Sequence, residues 1–162
     1  MNIAQATHWA ALVLAMLASV GFWHPAAAAG PVEEATGQAS SDAAQDRRRL
    51  VADNLPLTPS EAQRFWPIYE RFQKEMSTIL GRRQEIIVKL GENYDNMSDE
   101  VARQITVETL ELQQTRLKMT SAYLAKFEKV LPARKLARYF QIEGRIRAAV
   151  DAEIAERIPL IK

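Results

Sequence analysis

Three long stretches of this chain place apolar residues three or four positions apart, and none alternates them at every second position. The first holds Phe65, Ile68, Tyr69, Phe72, Met76, Ile79, Leu80, Ile86, Ile87 and Leu90. The second holds Val101, Ile105, Leu112, Met119, Tyr123 and Phe127, and the third Leu136, Tyr139, Phe140, Ile146, Val150, Ile154 and Ile158. Side chains at that spacing fall on one face of a helix, not of a strand. With no Gly-rich hairpin signal between the stretches, the chain is read as all-α.

Boundary residues agree with that period. Thr58, Pro59 and Glu61 form a capping box, with Pro where its missing N–H costs nothing. They predict a helix over 59–90, stopped by Gly91 at the C′ position. Ser98 opens the next helix, with Asp99 and Glu100 in its first turn, and Pro132 punctuates its end after Leu131. The last helix stops at Pro159. Asp46–Asn54 is expected to form a short helix before Pro56, its Arg47-Arg48-Arg49 triplet keeping the helix start soluble. The second long helix carries another row, Leu110, Leu117, Leu124 and Leu131. Two adjoining rows imply more than one neighbour.

The first 32 residues contain no Asp, Glu, Lys or Arg. Within them WAALVLAMLASVGFW, Trp9 to Trp23, is apolar, and Ala26 to Ala29 follow Pro25. This is the pattern of a secretory signal peptide over 1–29, cleaved after Ala28 or Ala29. An uncleaved anchor is the alternative, but its apolar core is shorter than the roughly 20 residues a span needs. Residues 30–45, rich in Ala, Gly, Ser and acids, are expected to be a disordered tail. Residues 46–162 are expected to form one helical domain.

An exported chain invites disulfides, yet there is no cysteine. Both histidines, His8 and His24, fall inside the signal segment. What remains lacks a nucleophile–base pair, a P-loop, a G-x-G-x-x-G and an H-E-x-x-H, and its carboxylates are read as lying on solvated faces. No enzyme and no cofactor are expected. The soft ligands left, Met76, Met97 and Met119, lie far apart and read as core filler, so no metal is expected. Export also argues against nucleic acid as a partner.

A helix over 59–90 would be about 48 Å long, and the next one similar. Such rods form a thin layer that buries little of itself, so a second copy is expected to cover the remaining apolar stripe as a homodimer. The charges fit lengthwise antiparallel pairing. Residues 91–115 carry six acids against Arg103, and 116–147 carry nine bases against Glu128 and Glu143. Helix-dipole bias with a solvated face is the other explanation of that segregation.

Leu57-Thr58-Pro59-Ser60-Glu61 resembles the first LTxxQ-type motif of the Spy/CpxP superfamily of periplasmic helical proteins, with Glu61 for Gln. Leu131-Pro132-Ala133-Arg134-Lys135 is similar to the second motif, with Pro132 for Thr and Lys135 for Gln. The resemblance spans roughly 47–158 and implies a periplasmic location. It also implies a long helical hairpin that pairs antiparallel into a cradle-like dimer. Family members act as ATP-independent chaperones, as inhibitors of envelope-stress sensors, or as metal-responsive sensors. On that footing the expected function is chaperone-like holding of partly unfolded envelope proteins. The alternative is regulation of a stress sensor or anti-sigma system through a sensor's periplasmic domain. Candidate contact residues are Arg116, Lys118, Lys126, Lys129, Arg134, Lys135, Arg138, Tyr139 and Phe140. Pro67, inside a helix and ringed by Phe65, Trp66, Tyr69 and Phe72, would supply a kink suited to a curved layer, with the aromatics filling its gap.

Overall fold

A computed structural model describes residues 32–161, with side-chain surroundings from residue 42 onward. The expected signal segment, both histidines and the first residues of the expected tail lie outside the described residues. Four α-helices follow in order: α1 (Val32–Asn54), α2 (Pro59–Asn93), α3 (Asp99–Phe127) and α4 (Ala133–Arg157), with a 3-10 turn at Tyr94–Asn96. There is no strand among the described residues, and none of these helices is long and apolar enough to cross a membrane.

α1 corrects two expectations. The segment from Val32 to Gln45, expected to be a disordered tail, is helical, and the helix does not wait for Asp46. Ala35, Ala39, Ala43 and Ala44, with Gln38 and Gln45, are good helix formers that carry the helix past Gly37, Ser40 and Ser41, and Glu33 and Glu34 sit where the macrodipole favours acids. A helix nucleated at one end can extend along such residues, since each further residue adds a backbone hydrogen bond. It packs at its C-terminal end, where Val51 and Leu55 are buried.

α2 opens on the expected box. The Glu61 N–H donates to Thr58 Oγ1 at 3.3 Å, and the Thr58 N–H donates to Glu61 Oε2 at 2.7 Å. The helix then runs 35 residues, about 52 Å, with Pro67 inside it. Pro67 and Gln63 both lie on the exposed side, where water can take the bond that Gln63's carbonyl loses to the proline. Gly91 does not end the helix. The chain stays right-handed through Tyr94, whose N–H donates to the Gly91 carbonyl, and tightens into the 3-10 turn.

α3 is capped by Ser98, which accepts the Val101 N–H at 3.3 Å. It stops at Phe127, four residues short of Leu131, because the Val130 and Leu131 N–H groups both turn back to the Phe127 carbonyl. α4 starts at once, with Pro132 supplying the carbonyl that the Leu136 N–H reaches at 2.9 Å.

The chain divides into two compact units where one domain was expected. Rods of this length contact only what lies alongside them, whereas the expectation from chain length assumes a rounded core. One unit holds residues 57–136 with Leu160 and Ile161. In it Phe65 meets Phe127, with ring centroids 5.4 Å apart, Phe72 meets Tyr123 at 5.1 Å, and Lys89 reaches Glu108 at 2.7 Å. Later residues of α2 thus meet earlier residues of α3. Ile79 and Ile105 are buried in the same unit. The other unit holds residues 32–56 and 137–159. Its α4 buries Tyr139, Ile142, Ile146, Val150 and Ile154, and an Arg47–Glu143 ion pair links α1 to α4.

Candidate binding surface

The segments 57–61 and 131–135 both lie in the unit of α2 and α3, and Glu61 meets Lys135 there. Lys135 Nζ donates to Glu61 Oε2 at 2.5 Å across 74 residues of sequence. Glu61 therefore accepts from Thr58 and from Lys135 together. The Lys135 ammonium, and after it the Thr58 N–H, hold the Glu61 carboxyl below its ordinary value, against a smaller opposing effect of desolvation. Glu61 with Lys135 makes a charged clasp between the start of α2 and the start of α4. Leu131 is buried beside this join, Leu57 is half-buried and Pro132 is exposed.

The aromatics around Pro67 are core. Phe65, Tyr69 and Phe72 are buried, and Phe65 stacks on Tyr69 at 5.8 Å. Trp66 alone of the four is half-buried, edge-on to Phe65 at 5.1 Å and to Tyr69 at 5.3 Å. From α3, Tyr123 donates to Glu75 Oε1 at 2.6 Å. Burial, and then Glu75, push its phenol up to about 12.

The candidate contact residues separate into two groups. Tyr139 is wholly buried and is no surface contact, which corrects the sequence reading. Phe140 is half-buried, its ring 5.3 Å from that of Tyr139. Arg138 donates from Nε to the Asn54 carbonyl at 2.6 Å and so serves the end of α1, while Lys135 is committed to Glu61. Arg116 is half-buried. Lys118, Lys126, Lys129 and Arg134 are exposed, with the Lys126 ammonium 3.7 Å from the centroid of the Tyr123 ring.

The carboxylates also differ from expectation. Glu61 and Glu143 are buried in ion pairs and do not lie on solvated faces. At the far end of α2, Lys89 and Gln104 both donate to Glu108, and Lys89 is the main cause of its lowered carboxyl. Arg82, Glu85 and Ile86 complete a small pocket with this pair, in which two cations face two carboxylates.

What stands out is the second row of α3. Leu110 is 53% exposed, Leu117 67% and Leu124 38%, with Val107 beside them at 41%. Only Leu131, past the helix end, is buried. The wide stripe was read as touching two neighbours, and within this unit α2 covers one side of it. The pairing of Phe72 with Tyr123 and Lys89 with Glu108 places exposed Leu80 of α2 level with Leu117. Seven-residue spacing gave away the row itself, but only burial shows that it faces outward.

No family model, no characterised protein and no solved structure matches this chain.

Proposed function

We propose that this protein is a non-catalytic, chaperone-like binding protein of the periplasm that holds partly unfolded envelope proteins. In this reading α2 and α3 form an antiparallel hairpin, and a second copy completes the assembly. The observation that carries it is the exposed row Leu110, Leu117 and Leu124, bordered by Lys118, Lys126 and Lys129. Leucines left open along three turns or more of a helix are a docking surface for apolar segments. Lysines beside them add aliphatic stems and mobile charges, which suit loose contact with many sequences.

The test is suppression of aggregation of several unrelated denatured proteins by purified protein at near-equal amounts. The wild type is expected to suppress it, and a triple variant Leu110→Ser, Leu117→Ser, Leu124→Ser to lose the effect while keeping its helical content. A wild type that leaves every client to aggregate contradicts the proposal. Cross-linking in envelope preparations separates the regulatory alternative. Capture of one dominant membrane protein, in a complex that weakens steeply with salt, would replace holding with sensor regulation.

A further inference from the structure

The outer face of α3 has a regular pitch. Leu110, Leu117 and Leu124 recur every seventh residue, about 10.5 Å apart along a helix. Three residues before each comes Val107, Gln114 or Ser121, and all six are exposed. Alternate spacings of three and four make the two-row seam that one helix offers another. Leu80 of α2, level with Leu117, widens the strip at its middle.

An extended segment fits this pitch poorly. Its same-face side chains recur about every 6.7 Å, so when two of them meet Leu110 and Leu124, Leu117 falls midway between two others. A helix with apolar residues at heptad spacing meets all three leucines together. From Val107 to Leu124 the seam is about five turns long, roughly 26 Å.

The exposed charges of α3 and its end are segregated by sign. Asp99, Glu100 and Glu111 outnumber Arg103 before the middle leucine, and Lys118, Lys126 and Lys129 outnumber Glu128 after it. Helices favour acids in their first turn and bases in their last. An ordinary amphipathic helix therefore complements this face when it runs antiparallel to α3, its acidic start by the lysines and its basic end by the acids.

We infer that the client segment held on this face is an amphipathic helix with apolar residues at heptad spacing, laid antiparallel along the leucines of α3. This rests on the holding function proposed above and names its class of client: segments that form helices, not extended strands. The pitch of the leucines selects the helix and the charges set its direction. Gln114 and Ser121 put polar groups into the seam, which lowers its affinity and keeps the occupant exchangeable.

The probe is a designed peptide of about 18 residues with leucine at every seventh position, alanine between, acids first and bases last. A control of the same composition places its apolar residues at alternate positions. By fluorescence anisotropy with the purified protein, the helical probe should bind roughly tenfold or more tighter than the control, and Leu117→Ser should abolish that preference. Photo-crosslinkers at the ends of the probe read its direction. The start should label the protein around Lys129 and the end around Arg103, and a probe with its charged ends exchanged should lie the other way.

Equal binding of the two peptides, or binding of neither while denatured clients are still held, would overturn the inference and leave the holding function standing. One direction for both charge patterns would overturn the orientation. If the helical probe binds as described and no client is held, the holding function fails while the helix site survives. A wild type whose self-association disappears with Leu117→Ser, and from which the probe displaces nothing, would give this face to a second copy and overturn the inference.

Discussion

The two faces of α3 carry similar apolar content and have opposite fates. On the inner face Ile105, Tyr123 and Phe127 are buried against α2, locked by ring contacts to Phe65 and Phe72. On the outer face Leu110, Leu117 and Leu124 stand in water. The inner residues are bulky and aromatic and interlock with one partner. The outer ones are flexible leucines in a single row with lysines beside them, which suits an exchangeable occupant. Stability resides on one face and binding on the other, and substitutions should separate the two.

The largest effect is expected on the inner face. Phe127→Ala should cost about 3–5 kcal/mol, because the cavity opens among Phe65, Phe72 and Tyr123. Urea denaturation measures it. A loss below about 1 kcal/mol would mean that this face is not the core of the unit.

Next comes the cap that begins α2. Thr58→Ala should cost about 1 kcal/mol, read in the same way. The neighbouring clasp adds a pH dependence. Glu61 has a lowered carboxyl, so its contribution is complete above its ordinary value of 4.5 and is lost as pH falls through the lower folded value. Glu61→Gln should therefore destabilise at neutral pH and flatten the loss on acidification. Combined with Lys135→Gln it should be strongly non-additive, whereas independent effects would dissolve the clasp.

A gain of about 0.5–1 kcal/mol is expected from Gly81→Ala, since Gly81 lies inside α2 on its exposed side with nothing near an added methyl group. The smallest effect belongs to the outer row. Leu117→Ser, measured on dilute protein, should change stability by no more than about 0.5 kcal/mol. The gap between Phe127→Ala and Leu117→Ser, roughly tenfold in free energy, is the contrast between the two faces in numerical form.

The helices and most of their starts were legible in the sequence, because caps and periods are local. Thr58, Glu61 and Ser98 do what their spacing announces. Ends were harder. Gly91 offers a stop that the chain passes by, and the Phe127 carbonyl closes α3 early. The start of α1 was misread because a composition poor in bulky apolar residues was taken for disorder, although a helix does not require them. The site was legible only in part. The leucine row could be seen in the letters, but a period gives a face without saying what covers it, so Tyr139 and Leu117 looked alike and turned out wholly buried and open to water, respectively. The Glu61–Lys135 clasp joins residues 74 positions apart with no local signal linking them, and only folding brings them together.

The most direct measurement places a photo-crosslinking residue at Leu117, and in a parallel variant at exposed Thr78 of α2, then illuminates each with an unfolded client. Adducts with the client should form from position 117 and be scarce from position 78. Equal labelling from both, or none from 117, would contradict a binding role for the outer face of α3.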